Sequence, residues 1–387
     1  MLFLIALLIT FALFLGTSYY LAQRIYQGLV LFFPKLHFGA LLTVFLVLTS
    51  IMLLGFTRSV LPFPETIKHI FSLIYAYYFG IFAYLLMFTI LADFLLFLPR
   101  LLKLSFAATP YFKGYVTIAV LLLTSVTCLY GFLNARQIEH VTYEIPLQNK
   151  TDISDLNMVL ISDLHLGAIG LEENLEHIVA EINALQPDIV CIAGDFFDTD
   201  YHAIRNPEAA LETLRKIQST FGIYACLGNH DAGPTMKSML SFVEEADIHL
   251  LNEEYTIIDE RLILIGRLDE APIGDYDKLH RGELADFFTP VNPALPVVVL
   301  DHNPINVRTY DEEPVDLILC GHTHKGQLFP GSLVTNALFT VDYGYYRKDA
   351  QSPQVIVTSG VGFWGMPMRV GTNCEIVSIK FINEQSE

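Results

Sequence analysis

Four apolar stretches in the first 134 residues, at 2–21, 37–56, 70–98 and 115–133, place the first constraint on this 387-residue chain. A helix that crosses a bilayer needs about 20 predominantly apolar residues, and each stretch supplies them. Before Asn134 the only acids are Glu65 and Asp93, against seven Lys and Arg, a net of +5. Residues 135–387 hold the other 16 of 23 basic and 39 of 41 acidic side chains, a net of −23. The whole-chain values of 53% hydrophobic and 17% charged therefore average two segments made for different solvents. Disorder, a collagen-like repeat and a disulfide scaffold are excluded by this composition. The sequence reads as a four-span α-helical membrane anchor over 1–134, a linker over 135–154 and a folded domain over 155–387.

The first stretch has no basic leading region and no A-x-A-like site, and three more follow it, so it reads as a span rather than a cleaved signal. The third exceeds one span and is expected to tilt or to end in the interface. Asp93 reads as an interfacial carboxylate near Arg100 or Lys103 rather than an intramembrane functional acid. Loops after the first and third spans carry Arg24, Lys35, Arg100, Lys103 and Lys113, and the opposite side carries Arg58, Lys68 and Arg136. Five against three orients the C-terminal domain outside the cytoplasm, in an inner-membrane protein.

From Asp155 onward, short apolar runs alternate with amphipathic segments. The runs at 158–163, 188–195, 222–231, 261–266, 296–302, 316–322, 355–360 and 374–381 read as strands, most of them continuous, as in strands covered on both faces. Helices are expected at 173–184, 208–218 and 236–245. The alternation implies an α/β sandwich, mainly parallel in its first half. Cys191, Cys226, Cys320 and Cys374 fall inside apolar strands, at spacings that match no metal or redox motif.

Polar residues collect at the carboxyl ends of those strands: Asp163 and His165; Asp195 and Asp198; Asn229, His230 and Asp231; His302; His322 and His324. Residues leaving the carboxyl ends of sheet strands converge on one crevice. Five of the ten histidines after residue 134 lie in these motifs. Carboxylate, amide and imidazole without thiolate suit divalent Mn, Fe or Zn, and the donors are too many for one tetrahedral ion. On an extended segment side chains i and i+2 share a side, which would let Asp163 join His165 and His322 join His324. Two adjacent ions clamp the attacking and leaving oxygens of a phosphoryl displacement.

The ordered set D-x-H, G-D-x-x-D, G-N-H-D, H and G-H-x-H resembles the calcineurin-like metallophosphoesterase superfamily over residues 155–381. The resemblance implies a sandwich of two mixed β-sheets flanked by helices. It implies one ion, manganese before iron or zinc, held by Asp163, His165, Asp195 and His324. A second would be held by Asp195, Asn229, His302 and His322, with Asp195 and a hydroxide bridging the pair. His230 would bind phosphate or protonate the leaving oxygen, Asp231 would orient its ring, and Asp198 would support the ligands without touching metal. The runs 321–331 and 359–379, with the frame P-x-R-x-G…E-I that includes Arg369, resemble the membrane-associated bacterial branch and its transmembrane relatives. Lys325 stands where that branch has glycine, either as a surface lysine or as a cation near phosphate. Arg369 is expected to support the site or touch substrate.

Gly360, Gly362 and Gly365 spell a dinucleotide fingerprint, but Pro367 and Gly371 follow where a helix should open, so the run reads as a loop. The segment 268–296 is either a substrate-shaping flap or an irregular crossover. Tyr343, Tyr345, Tyr346 and Arg347 are candidates for the rim of the cleft. Phe363, Trp364 and Met366 are open to lipid contact or to packing. The leading expectation is a membrane-anchored phosphoesterase that cleaves a phosphodiester or pyrophosphate bond in an amphiphilic or lipid-linked substrate. A phosphomonoesterase or protein phosphatase and a non-catalytic membrane module are the alternatives. The −23 charge disfavours polyanionic partners, and no nucleic-acid partner is expected, since no basic stripe is available to meet a phosphate backbone.

Overall fold

The computed structural model describes residues 2–56, 63–102, 110–148, 150–169, 172–284, 287 and 292–384. It divides into two compact units, Met1–Phe132 and Leu133–Glu387. The first is built from helices α1 (Leu2–Leu29), α2 (Phe38–Phe56), α3 (Glu65–Leu101) and α4 (Pro110–Asn134), the last of which runs just past the unit boundary. Among the described residues, three segments are long and apolar enough to cross a membrane: Phe38–Phe56, Thr66–Phe97 and Tyr111–Asn134. The stretch at 2–21 lies within α1, but the side chains of residues 2–4, 6 and 7 are outside the described set. Val47, Phe94, Leu95, Leu122 and Val126 of these three segments are exposed, as expected for helices whose solvent is hydrocarbon. Asp93 is expected near Arg100 or Lys103, whose side chains lie outside the described set. It meets Arg24 Nη2 at 2.7 Å and accepts from Tyr20 Oη at 2.7 Å, both on α1, because a carboxylate on an apolar helix is stabilised by a partner within the bundle.

The second unit is a sandwich of two six-stranded sheets. The first has the order β1 (Ile138–Gln148), β12 (Cys374–Glu384), β2 (Asn157–Ile161), β3 (Ile189–Ala193), β4 (Ile223–Cys226), β5 (His249–Leu250). The second has the order β10 (Gly344–Arg347), β11 (Gln354–Val357), β9 (Leu317–Cys320), β8 (Val297–Leu300), β7 (Leu262–Gly266), β6 (Glu254–Ile258). β2 to β5 run parallel, as do β7, β8, β9 and β11. Residues 135–154, read above as a linker, contribute β1. It pairs in parallel with β12 from Ile138↔Cys374 to Gln148↔Glu384 and buries Ile145 and Leu147. The alternation Val141, Tyr143, Ile145, Leu147 suits an edge strand with one covered face.

Met158, Leu160, Cys191 and Ala193 of the first sheet face Leu264, Val298, Leu300, Leu317 and Ile356 of the second across the central core. Each such fully buried aliphatic side chain contributes about 1.5–3 kcal/mol. Helices α5 (Glu172–Ala184), α6 (Pro207–Leu214) and α7 (Met236–Glu245) cover the outer face of the first sheet through Leu175, Ile178, Leu214, Met239 and Phe242. The outer face of the second packs on Val307, Tyr310 and Phe287, and α8 (Gly331–Leu338) follows β9. The four strand cysteines and Cys128 are buried and unpaired.

Candidate metal centre

The strand ends bring the acidic and imidazole residues together at one edge of the sandwich. Asp163 and His165 leave β2, Asp195 leaves β3, Asn229 and His230 leave β4, His302 leaves β8, and His322 and His324 leave β9. The convergence does not come from extended backbone. Asp163 (φ 58°), His165 (45°), Asp195 (54°), His322 (71°) and His324 (48°) all sit in the left-handed region that non-glycine residues seldom occupy. Such backbone strain persists only where surrounding structure enforces it. Here the loops are laced together: Asp163 N donates to Gly194 O at 3.0 Å, His165 N to Asp195 O at 3.0 Å, and Gly321 N to His302 O at 2.9 Å. Gly321 is obligatory, since a Cβ there would lie 1.8 Å from Ser162 Oγ and 2.5 Å from Asp163 Oδ2.

Two donor groups result, each with ligand atoms within 4.8 Å of one another: Asp163, His165 and His324, and Asp195, His302 and His322; a third, His165, Asp195 and His230, links them. His165 Nε2 and His324 Nε2 are 3.1 Å apart, with Asp163 Oδ1 at 3.8 Å from the first and 3.3 Å from the second. Asp195 Oδ2 lies between the groups, 3.6 Å from His165 Nε2 and 3.2 Å from His302 Nε2. Asn229 Oδ1 joins the second group, 2.9 Å from His322 Nδ1. His302 Nδ1 donates to Ala193 O at 2.7 Å, which aims Nε2 at the carboxylate, and among the described residues that Nε2 has no well-aligned hydrogen-bond partner.

Electrostatics fit a cation. Burial holds the His165 imidazole down to about 3 and that of His322 to about 4, and with Arg369 beside it holds His324 well below the usual range. These rings are held in the neutral form, which a cation requires of an imidazole ligand. Burial pushes the Asp163 carboxyl up to about 6. Burial opposes ionisation of Asp195 as well, but His302 and His230 hold it well below the carboxylate range. Conversely, Asp195 drives the His302 ring well above its ordinary value against the effect of burial. A buried carboxylate facing a buried imidazole nitrogen calls for a positive charge between them, and a divalent ion supplies it as well as a proton does.

The remaining expected residues divide. His230 stands at the centre, its ring 5.0 Å edge-on from that of His165, and its Nδ1 lies 2.7 Å from Thr199 Oγ1. Asp231 does not orient that ring. It turns away and accepts from Gly228 N at 2.9 Å and Phe197 N at 3.0 Å, closing the Gly228–Asp231 turn, because consecutive residues of a tight turn point apart. Burial, reinforced by Asp195, raises the Asp231 carboxyl to about 7. Asp198 is outside both donor groups, 4.0 Å from His230 Nδ1. Lys325 stacks its ammonium 3.8 Å above the Tyr343 ring.

Arg369 is fully buried, which excludes substrate contact. Its guanidinium sits behind His324, with Nη1 donating to His324 O at 3.0 Å and Nη2 to His324 Nδ1 at 3.1 Å and Ser359 O at 2.8 Å. Glu375, the acid of the same frame, accepts from Thr358 Oγ1 and Ser359 N and, at its other oxygen, from Tyr343 Oη. Sequence reasoning missed Thr199 altogether, and nothing in its neighbourhood marks it. The described part of segment 268–296 is a docked crossover. Ile273 N donates to Asn229 O, Gly233 N to Asp275 O and Tyr276 Oη to Gly228 O, all within 2.9 Å, while Arg281 makes a two-point pair with Asp301 beside His302. Residues 285, 286 and 288–291 of that segment lie outside the described set.

Residues 156–326 match the calcineurin-like phosphoesterase family. An uncharacterized metallophosphoesterase of Campylobacter jejuni is 30% identical over 265 residues, 66% of this chain and 67% of its own. The chain belongs to the calcineurin-like phosphoesterase family. A Helicobacter pylori metallophosphoesterase is 30% identical over 59% of this chain. The match spans 60% of that relative's length. A zebrafish (Danio rerio) transmembrane protein with metallophosphoesterase domain is 28% identical over 92% of this chain and 80% of its own, so the likeness extends into the helical N-terminal unit.

Proposed function

We propose that this chain is a four-span, membrane-anchored phosphoesterase with a dinuclear metal site, which hydrolyses a phosphodiester or pyrophosphate bond in an amphiphilic or lipid-linked substrate. The observation that carries the reading is the pair of donor groups with Asp195 Oδ2 between them, 3.6 Å from His165 Nε2 and 3.2 Å from His302 Nε2. One ion would be held by Asp163, His165, Asp195 and His324, and the other by Asp195, Asn229, His302 and His322. Manganese is the first candidate and iron or zinc the others, as a mixed oxygen and nitrogen set without thiolate favours. When bound, such a pair lowers the pKa of a coordinated water and polarises the phosphoryl oxygens.

The rest of the chemistry belongs to the protein. His230 reaches the cleft beside both donor groups, and Thr199 fixes its Nδ1, which leaves Nε2 to hydrogen-bond a phosphoryl oxygen or to protonate the leaving oxygen. Asp231 keeps the turn that carries Asn229 and His230 in shape. Arg369 and Glu375 hold the loops beneath His324.

The anchor supports an amphiphilic substrate. Three residues, 135–137, connect α4 to β1. The basic side chains around the apolar stretches favour a domain outside the cytoplasm, where phospholipid or wall-polymer phosphodiesters fit. The test is hydrolysis of a panel of soluble and lipid-linked phosphoesters by the full-length, Mn-loaded protein, with Asp195→Ala in parallel. Metal-dependent turnover that Asp195→Ala abolishes is expected. Equal activity of the two proteins refutes the reading and favours a non-catalytic module.

A further inference from the structure

Helix α8 is amphipathic in the reverse sense. Surface helices of globular domains turn their apolar stripe inward. Here Leu333, Val334, Ala337 and Leu338 are all exposed, the leucines by 64% and 66%, while Thr335 turns inward and donates to Asp342 Oδ2 at 2.8 Å. Phe329, just before the helix, is 48% exposed. No charged side chain occurs from 326 to 341, although the domain carries −23. An exposed, uncharged apolar face of this kind marks a binding surface.

The face is continuous with the metal centre. Gly326, which ends the short turn begun by His324, admits no Cβ because Ser332 N would lie 2.2 Å away, so α8 is pressed onto that turn. Phe339, directly after α8, sets its ring edge-on at 6.0 Å from that of His322. Gln327 holds the backbone of Trp364 from both sides, with Trp364 N donating to Oε1 at 2.7 Å and Nε2 donating to Trp364 O at 2.8 Å. The half-exposed Trp364 ring lies 6.2 Å from that of His230, whereas Phe363 and Met366 are buried.

We propose that the outward face of α8, bordered by Phe329 and Trp364, seats the hydrocarbon chain of the substrate whose phosphoester lies at the metal centre. The proposal rests on the phosphoesterase reading above and names the part of the protein that selects a long-chain ester over a short one. Apolar side chains next to the reacting group lower the barrier for a chain-bearing ester by removing its methylenes from water.

The test compares hexadecyl and methyl p-nitrophenyl phosphate, with full-length protein in mixed micelles of a neutral detergent. Leu333→Gln/Leu338→Gln changes two exposed positions, and Ile257→Gln, an exposed apolar site on β6, serves as control. Wild type and the control are expected to prefer the hexadecyl ester in kcat/KM, and the double variant to lose about tenfold of that preference. An unchanged ratio in the double variant, or a wild type indifferent to chain length, overturns the proposal and leaves the phosphoesterase reading standing. If the variant keeps the ratio but breaks an oligomer seen by light scattering, the face binds a second copy and the proposal is wrong. Wild type inert on both esters refutes the underlying reading as well.

Discussion

Replacing Arg369 with methionine probes the least visible part of the site. The side chain is similar in length and apolar, so the cavity stays filled while the guanidinium is lost. Its donors serve His324 O, His324 Nδ1, Ser359 O and Gly362 O, all buried, and Arg369 Nε has no partner among the described residues. A hydrogen bond from a charged donor contributes about 1.5–3 kcal/mol, and burying the guanidinium with one unpaired N–H offsets part of that sum. A net loss of about 4 kcal/mol is expected, or roughly 8–16 °C in Tm for a domain of this size. Trp364 is the chain's single tryptophan and stands on the loop whose carbonyls Arg369 holds, so its fluorescence during heating reads the transition directly. Metal content measured by mass spectrometry on the same samples should also fall, because His324 loses its support. Arg369→Lys keeps the charge but not the planar fork, and should recover less than half of the loss. An Arg369→Met protein with wild-type Tm and wild-type metal content would refute this account of the guanidinium.

Four further outcomes are expected. Thr199→Val should lower kcat about tenfold with metal content unchanged, and Thr199→Ser should restore it, since the hydroxyl acts only through His230 Nδ1. Gly321→Ala should cost about 3 kcal/mol or more in thermal unfolding and reduce metal binding, because its Cβ displaces Ser162 and Asp163. Asp231→Asn should destabilise the Gly228–Asp231 turn by about 1–3 kcal/mol, since one of its two backbone donors then faces an amide N–H₂ instead of an acceptor. Exhaustive chelation should lower Tm measurably, as three buried imidazoles, the half-buried His322 ring and two carboxylates then face one another without a shared cation.

The continuous apolar runs were legible as strands because parallel strands buried on both faces leave so plain a pattern, and the strand-end motifs identified the crevice before any geometry. β1 was not legible. Glu139, His140, Thr142 and Glu144 break up an edge strand whose partner, β12, is more than 200 residues away, and no local signal announces such a pairing. Extended geometry was the wrong reason for the right convergence: Asp163 with His165 and His322 with His324 meet through left-handed backbone that only the neighbouring loops enforce. Adjacency misled at Asp231, whose carboxylate lies on the far side of its turn from His230. Arg369 was marked by its frame, but its contact with His324 spans 45 residues and depends on burial, which a motif does not encode. The described part of segment 268–296 is docked in part by backbone hydrogen bonds with the Asn229 loop, and these leave no trace in side-chain composition.

The central claim is that two ions share Asp195 and together support phosphoester hydrolysis. Chelated full-length protein titrated with Mn²⁺ while bis-p-nitrophenyl phosphate turnover is followed tests it directly. Activity that rises to a plateau at two equivalents per chain, and does not rise in Asp195→Ala, is the expected result. Turnover that is independent of added metal, or absent at every ratio, would contradict it.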